Sequence, residues 1–495
     1  MNTLFPIWPR AMPRAMPRPR TGSQGRLGRV AVAALTVMTL GGCATLQPDS
    51  GFAVVEEAAR DRLGKAVTWQ RTDADRDAVA QRVAELLKQP LSADDAVQIA
   101  LLNNPGLQAE YAELGISDAQ RVQAGRLPNP GLSLGRSQQG GSVEFDRSLQ
   151  FNLARLLMLP LVSEIEARRF EQARTAAVLS VLSLAAQTRK AYVLALAADE
   201  TGRYMRQVQS AAEAGAELAR RQAQVGNWSK LQQAREQGFY ADAALNLARS
   251  DQARTAARER LTRLMGLWGP QTLFRLPERL PDLPKAPSDL PGIEQTAMAQ
   301  RLDVQAAKLG TEQLAKNLVL TRATRFVNVL EVGVVRNSYN DAPVQRGYTV
   351  SLELPLFDSG DARLAKAEAL HRQAVNRAAE TAIQARSEVR GAYANYRSSY
   401  DIARHYRDEI VPLKKRISEE NQLRYNGMLI GVFELLADAR SQITSVNGAI
   451  EALRDFWLAQ ADLDTSLIGP AAGASGRSAL PAAAASAMDS AAAAH

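Results

Sequence analysis

Side chains that commonly carry out chemistry are scarce and widely separated in this 495-residue sequence. It contains three histidines (His371, His405 and His495) and one cysteine, Cys43. A local metal site needs several such ligands at short spacing, and these histidines are too scattered in sequence to provide one. The chain also lacks a P-loop, a dinucleotide-binding fingerprint and a G-x-S-x-G motif. We therefore predict a protein that is not an enzyme and that binds no metal and no cofactor.

Cys43 occupies a position where one specific modification takes place. A basic segment is followed by an apolar run of 11 residues, Val30 to Leu40, which is too short to cross a bilayer as a helix. Leu40-Gly41-Gly42-Cys43 resembles a bacterial lipobox, whose cysteine receives fatty-acyl chains such as palmitate and becomes the new N-terminus. The alternative is an ordinary signal peptide with a chance cysteine at its end. Ala44 rather than Asp follows, which favours delivery to the outer membrane.

The formal net charge of +8 arises mostly in the leader. Residues 1–42 contain six arginines and no acidic residue, so the rest of the chain has 54 basic and 52 acidic residues. A nucleic-acid-binding protein is expected to have a basic folded surface. The charge distribution therefore predicts that the mature chain does not bind nucleic acid.

Alternating apolar and polar residues predict two pairs of β-strands. The first pair is Gly131 to Ser137 with Val143 to Leu153, and the second is Phe326 to Val335 with Gly347 to Phe357. Within Val143 to Leu153 only Arg147 departs from the alternation. Eleven residues at period two match the length of a tilted transmembrane strand. A half-buried strand of a soluble sheet would show the same pattern, so the alternation alone leaves both interpretations open.

Two long helical segments follow the strand pairs. Leu161 to Gln224 contains no proline and would be roughly 96 Å long as one helix. Asp361 to Tyr425 is of similar length and is free of proline except for Pro412. After each segment a glycine turn leads into a second helix, which in the second half runs from about Val432 to Leu467. Two apolar stripes on the first helix predict packing against two neighbours. Alanines at spacings of 7 and 4 predict close helix approach in the second: Ala367, Ala374, Ala378, Ala385 and Ala392.

The two halves have corresponding landmarks at a nearly constant offset. Leu159-Pro160-Leu161 matches Leu354-Pro355-Leu356 at an offset of 195, and Gly226 matches Gly427 at 201. This spacing indicates an internal duplication of about 200 residues. We predict a lipoprotein signal peptide (1–42), an acylated, extended arm with a helical piece (43–90), a first repeat (91–270), a Pro-rich surface linker (271–292), a second repeat (293–469) and a disordered Ala-rich tail (470–495).

Four strands per chain cannot close a membrane barrel, since single-chain bacterial barrels begin at eight strands. Strands in a membrane would therefore require an oligomer, and a trimer would supply twelve. The lipobox, the LSADDAVQIALLNNPGLQAEY opening, the strand–Leu-Pro-Leu–helix junctions and the two glycine turns are similar to those of TolC-type outer-membrane efflux proteins. The resemblance covers roughly residues 91 to 468.

The resemblance implies a mainly α-helical fold with a membrane β part. Duplicated long helical hairpins would form a periplasmic α-helical barrel, and the strands of a homotrimer would form a 12-stranded outer-membrane β-barrel. The chain would be a lipid-anchored exit duct of a tripartite efflux pump, in contact with outer-membrane lipid, a periplasmic adaptor and an inner-membrane transporter. A type I protein-secretion duct and a periplasmic coiled-coil scaffold lipoprotein that forms no channel are the alternatives.

The resemblance also assigns adaptor docking to the two turns that end the long helices. These turns are Val225, Gly226, Asn227, Trp228 and Ser229, and Tyr425, Asn426, Gly427, Met428 and Leu429. The first departs from the family's Val-Gly-Leu-Ser/Thr pattern, because Asn227 and Trp228 stand where one leucine is usual. Either glycine could equally be a helix cap with no further role.

Three acidic residues and one arginine complete the candidate sites. Glu434 and Asp438 are predicted to line the tunnel entrance and favour cations, although such acids also occur on ordinary solvated helix faces. Arg301 and Asp303 resemble the Arg-Pro-Asp element of the family, with Leu302 in place of proline. We predict a structural role for this pair.

Overall fold

The computed structural model describes residues 45–325, 329–353 and 356–470, apart from the side chain of Phe433. Cys43 and its lipobox, and almost all of the predicted Ala-rich tail, lie outside this part of the chain.

The described residues contain eleven α-helices and four β-strands. The helices are α1 (Ala53–Leu63), α2 (Asp73–Leu86), α3 (Ala93–Asn103), α4 (Pro105–Ala124), α5 (Leu153–Gln224), α6 (Lys230–Leu264), α7 (Ile293–Gln300), α8 (Leu302–Ala323), α9 (Asp361–His405), α10 (Val411–Asn426) and α11 (Val432–Ser466). The strands are β1 (Gly131–Gln139), β2 (Ser142–Asn152), β3 (Leu330–Tyr339) and β4 (Gln345–Leu352).

Local capping signals determine where several helices begin. The predicted cap Ser92 accepts a hydrogen bond from the Asp95 amide at 3.0 Å, and α3 begins at the next residue. Pro105 opens α4 after the cap Asn104, because a proline at the first helical position has no amide hydrogen to leave unpaired. The order of helix, hairpin, long helix, turn and returning helix then occurs twice along the chain.

The first long helix starts earlier than the sequence predicted. α5 begins at Leu153, is 72 residues long and contains Pro160 within it, whereas we expected the helix to follow that proline. The side chain of Asn152 caps α5 by accepting a hydrogen bond from the Arg155 amide at 2.8 Å. A proline removes one backbone hydrogen bond, and the cap together with the following helical turns outweighs that loss. β2 consequently ends at Asn152.

The second long helix is divided by a π-helical turn, Tyr406–Ile410, between α9 and α10. Pro412 lies just after this turn, and its ring would clash with the carbonyl of residue 408 in a regular α-helix. The wider turn relieves that clash, so the helical path continues instead of ending. Tyr406 packs closely on Gly448 of α11, where an added Cβ would lie 2.8 Å from the tyrosine hydroxyl oxygen.

The arm, predicted to be extended with a helical piece, contains two helices that pack on the core. Helices α1 and α2 lie within residues 53–86, and Phe52, Val55, Ala59 and Val67 are buried in one core cluster with residues of α4 and α5. The polar residues of the arm masked this apolar face, because only a few positions of each short helix face the core.

The predicted linker is only partly a surface segment. Residues 273–291 contain no regular helix or strand, as their proline content predicts. Leu280 and Leu283 are nevertheless buried, each in a different core cluster. The hydroxyl of Tyr400 on α9 donates to the carbonyl of Lys285 at 2.8 Å, which attaches the linker to the second long helix.

The four strands form one antiparallel sheet in the order β1-β2-β3-β4. The hairpin turn between β1 and β2 consists of Gly140 and Gly141, so at their turn ends both strands extend further than predicted. β3 begins later than the predicted Phe326 and continues to Tyr339, and residues 326–328 lie outside the described part. β4 ends at Leu352, and Leu354-Pro355 is likewise outside it. The prediction of two strand pairs is confirmed, but their boundaries differ.

Candidate functional site: the sheet and the two turns

The two faces of the sheet have opposite chemistry. Cross-strand partners share a face, so the register assigns every described strand residue to one side. One side, called here the apolar face, consists of Leu132, Leu134, Arg136, Gln138, Val143, Phe145, Arg147, Leu149, Phe151, Leu330, Val332, Val334, Arg336, Ser338, Arg346, Tyr348, Val350 and Leu352. The opposite side, the polar face, includes Ser133, Glu144, Asp146, Ser148, Gln150, Glu331, Asn337, Thr349 and Ser351.

Most large side chains of the apolar face are exposed, with Leu134 at 70%, Val334 at 58% and Tyr348 at 82%. A soluble protein rarely leaves so many neighbouring apolar side chains in water. On the polar face, Glu144 accepts hydrogen bonds from the Tyr339 hydroxyl at 2.6 Å and from the Asn337 amide at 2.9 Å. The sheet is therefore built for water on one side and an apolar environment on the other.

The outer edges of β1 and β4 have no strand partner within the described chain. An exposed, flat edge is a template for pairing with another chain. Next to β4, beyond the undescribed Leu354-Pro355, Leu356 and Phe357 are also highly exposed, and so is Leu157 at the start of α5. The apolar surface thus continues from the strands to the beginning of the long helices.

The first predicted turn joins α5 to α6 and lies largely at the surface. Gly226 has a φ of +79°, a left-handed conformation that favours glycine, and an added Cβ there would meet no atom within 4 Å. Ser229 caps α6 in a reciprocal capping box with Gln232. Val225 is 69% exposed, and Asn227 donates a side-chain hydrogen bond to Gln222 at 3.0 Å.

The second turn joins α10 to α11 with a different backbone. Its left-handed residue is Met428, with a φ of +59°, and not Gly427, whose φ is −82°. Met428 is 93% exposed and Leu429 is 77% exposed, and both stand out from the helix ends. Tyr425 and Asn426 are exposed as well.

Both turns lie at the same end of the helices. A Cβ on Gly215 of α5 would lie 4.0 Å from Leu436 of α11 and 3.9 Å from Glu236 of α6. These three residues are nine to eleven positions from the glycine of their respective turn, Gly226 or Gly427, or about 14–17 Å along a helix. These similar distances place the two turns at the same height along the helices. One partner could therefore contact the exposed apolar side chains of both turns.

Near this end the predicted acids have different environments. Glu434 is exposed, whereas Asp438 is partly buried, and its Oδ2 atom has no hydrogen-bond partner among the described residues. Sequence analysis missed the neighbouring pair of Glu236 and Arg440, whose Oε1 and Nη2 atoms are 2.8 Å apart. Only the fold could reveal this pair, because the two residues are 204 positions apart.

Arg301 has the structural environment that the sequence predicted. Its side chain is 1% exposed and donates to Asp303 at 2.7 Å, to Glu388 at 2.8 Å and to the carbonyl of Ser466 at 3.0 Å. These contacts join the start of α8 to α9 and to the end of α11.

Two further observations concern the described residues as a whole. None of their helices has an apolar stretch long enough to cross a membrane. Nowhere among them do three or more His, Cys, Asp or Glu side chains converge as they would around a metal ion.

Solved structures with the same arrangement identify the fold. The outer-membrane channel OprN matches with a TM-score of 0.65 at 17% identity, covering 82% of this chain and 94% of that one. The open state of the Neisseria gonorrhoeae MtrE outer-membrane channel matches with a TM-score of 0.62 at 19% identity, covering 76% and 88%. The chain has the TolC-type outer-membrane channel fold. A membrane protein from Pseudomonas aeruginosa is also similar, with a TM-score of 0.66 at 20% identity over 76% and 92% of the two chains.

At the level of sequence, no model of a known protein family matches the chain, and a search of curated proteins finds no match. The match to solved outer-membrane channel structures confirms the resemblance that the strand pairs, long helices and turns predicted.

Proposed function

We propose that the chain is the outer-membrane exit duct of a tripartite efflux pump and works as a homotrimer. The observation that carries the proposal is the sheet itself, which has an exposed apolar face, a polar face and two unpaired edges. A sheet in lipid must have no open edge, because unpaired backbone groups there cost several kcal/mol each. In a trimer, β1 of one protomer would pair with β4 of the next and close a 12-stranded barrel.

The polarity of the two faces supports this closure. With the apolar face outward, side chains such as Leu134 and Val334 would contact acyl chains, and the polar face would line a water-filled lumen. The long helices would continue the duct into the periplasm. OprN and MtrE, the structural neighbours, are both outer-membrane channels. The duct would be passive, with energy supplied by an inner-membrane transporter.

The two exposed turns are the proposed docking sites of a periplasmic adaptor. Val225, Met428 and Leu429 offer apolar surface at one end of the helices, where a helical partner could bury it. Glu434 and Asp438 follow the second turn and would face ions that enter from this end. Acylation of Cys43 would anchor each protomer in the outer membrane.

The two alternatives fare differently. A periplasmic scaffold would leave the apolar face of the sheet in water, which makes this alternative the weaker one. A type I protein-secretion duct would use the same architecture. The lipobox favours efflux, because lipobox-bearing members of the resembled family are more often pump components.

The decisive experiment uses the full-length, detergent-extracted protein. Light scattering should give the mass of three chains, and the protein should conduct ions when added to a planar lipid bilayer. A monomer that remains in solution without detergent and shows no conductance would refute the duct. Mass spectrometry of the mature N-terminus should detect acyl chains that a Cys43→Ala variant lacks.

Efflux and protein secretion are separated in cells. In a strain that lacks the gene, a fluorescent pump substrate should accumulate, and the wild-type gene should restore its export. A loss of secreted protein without any change in dye accumulation would instead favour the secretion duct.

A further inference from the structure

Three arginines lie in one row across the apolar face. The register pairs Arg147 of β2 with Arg336 of β3, and Arg336 with Arg346 of β4. Neighbouring strands are about 4.8 Å apart, so the three Cα atoms fall within roughly 10 Å of one another. All three side chains are exposed. Like charges directly opposite each other destabilise a sheet, so a counter-charge at the row would stabilise it.

The protein itself does not supply that counter-charge within the described residues. None of the three arginines forms an ion pair or a side-chain hydrogen bond there, and none of the described strand residues on the apolar face is acidic. The acids Glu144, Asp146 and Glu331 belong to the polar face. They are separated from the guanidinium groups by the sheet.

The surroundings of the row restrict what the missing anion can be. A groove of about 420 Å³ lies along it, lined by the three arginines together with Leu132, Leu149 and Val334. Toward the helices the surface is apolar, and toward the hairpin turns it becomes mixed, with Gln138 and Ser338. A ligand that fills this groove has an anionic group at the row and an apolar portion on the helix side.

The position of the row suits a membrane interface. Arg346 lies six residues before Leu352, the last residue of β4, which is about 20 Å of strand. With the usual tilt of barrel strands this is roughly 15 Å along the membrane normal, so the row lies toward the hairpin end of the apolar face. Arg136 stands one step beyond the row with its guanidinium carbon 5.9 Å from the ring of Phe145, an aromatic and cationic pairing that suits the headgroup level.

We propose that Arg147, Arg336 and Arg346 form a binding site for the phosphate groups of an outer-leaflet lipid, whose acyl chains lie on the adjoining apolar face. This inference rests on the proposed insertion of the sheet into the outer membrane. Arginine binds phosphate through two parallel N–H···O bonds, and three arginines in a row match a headgroup with more than one phosphate. In the trimer the site occurs three times around the barrel.

The test measures binding of diphosphorylated lipid A to the detergent-solubilised wild-type protein by native mass spectrometry and by the shift in its melting temperature. A triple variant, Arg147→Gln, Arg336→Gln and Arg346→Gln, should bind the lipid at least about tenfold more weakly. It should also lose the lipid-induced rise in melting temperature. The triple lysine variant keeps the positive charge and should keep most of the binding.

A matched control removes three exposed arginines from helices: Arg249→Gln, Arg372→Gln and Arg386→Gln. This control should bind lipid A as the wild type does. Equal loss in both triple variants, or unchanged binding in the strand variant, would overturn the site. Inorganic phosphate at tens of millimolar should not displace the lipid, and full displacement would indicate a site for free phosphate instead.

Trimer mass and bilayer conductance, measured on the same samples, keep this inference separate from the proposed duct. If the wild type forms no trimer and no channel, the proposed function fails together with the membrane placement of the row. If channels form normally and lipid A binding does not depend on the three arginines, only the lipid site is refuted.

Without lipid, the triple glutamine variant should have a melting temperature no lower than that of the wild type, because it removes the repulsion between the three guanidinium groups.

Discussion

Glu236 of α6 and Arg440 of α11 form an ion pair that connects the two returning helices near the turns. Nη2 of Arg440 is 2.8 Å from Oε1 of Glu236, and the glutamate side chain is only 2% exposed while the arginine is 36% exposed. The guanidinium carbon of Arg440 also lies 4.3 Å from the ring centroid of Phe239. The pair therefore links the first half of the chain to the second at the end where a partner is proposed to dock.

Replacing Arg440 with methionine should destabilise the helices around this pair. The change leaves the carboxylate of Glu236 buried without its cation, which we expect to cost about 2 kcal/mol after allowing for the partial exposure of Arg440. Thermal unfolding followed by circular dichroism measures the effect. The double variant Glu236→Leu with Arg440→Met should recover most of the loss. A double variant as unstable as the sum of the two single changes would contradict the pairing.

Arg301 should tolerate even a conservative change poorly. Lysine keeps the charge but cannot donate simultaneously to Asp303, Glu388 and the carbonyl of Ser466 as the guanidinium does. We expect Arg301→Lys to lower the free energy of unfolding by about 2–4 kcal/mol. Arg390 pairs with Glu294 at 3.5 Å on the surface, so Arg390→Lys is the control. It should change the free energy of unfolding by less than about 0.5 kcal/mol. Similar effects of the two variants would refute the structural role.

The buried phenol of Tyr192 predicts a loss of stability at high pH. Burial, with a contribution from Asp95, raises its pKa to about 12, and its hydroxyl donates to the carbonyl of Leu91 at 2.9 Å. The unfolded chain releases this proton near the ordinary pKa of about 10. The stabilisation from the neutral phenol is therefore complete below pH 10 and is lost as the pH rises toward 12. It amounts to about 2–3 kcal/mol.

Tyr192→Phe tests this assignment. Loss of the hydrogen bond should lower the variant's free energy of unfolding by about 1 kcal/mol at neutral pH. Its melting temperature should fall less steeply than that of the wild type between pH 10 and 12. Some slope will remain, because burial also raises the pKa of Tyr111. If the melting temperature of the variant falls with pH as steeply as that of the wild type, the pKa of Tyr192 in the folded protein is the ordinary one.

Val334 and Val335 provide a matched test of the sheet's two faces. They are neighbours on β3, but Val334 belongs to the apolar face and Val335 to the polar face. Val334→Asp would place a carboxylate against lipid in each protomer, at a cost of up to about 2 kcal/mol per copy. We expect it to reduce the yield of membrane-inserted trimer severely. Val335→Asp should assemble normally, and equal behaviour of the two variants would exclude the proposed orientation.

The exposed side chains of the second turn should matter for coupling and not for the channel itself. Met428→Asp with Leu429→Asp is expected to weaken co-purification of the adaptor at least about tenfold, because it places charge in an apolar contact. Dye accumulation in cells should rise accordingly. Bilayer conductance of the purified variant should stay unchanged. Ile383 on α9 is 70% exposed, so Ile383→Asp is the control and should leave adaptor binding unchanged. If the adaptor still binds the turn variant, the second turn is not its docking site.

Short-range signals explain why much of the fold was predictable. The alternation within β2, the cap at Ser92 and the glycines of the turns each depend on residues a few positions apart. The same locality explains the errors. The sequence shows a proline at position 160, which removes one backbone hydrogen bond, and it therefore predicts a helix start there. The cap by Asn152 and the packing of the helix keep Pro160 inside α5, and both depend on the surrounding structure.

The sequence by itself determined that this chain has two strand pairs, two long helices and two turns, because periodicity and turn residues act locally. Only the tertiary structure decided which side chains face one another across the halves. Arg147 and Arg336 of the row are 189 positions apart, and Glu236 and Arg440 are 204 positions apart. Such contacts depend on strand register and helix packing, which many residues set together and which no single stretch of sequence contains.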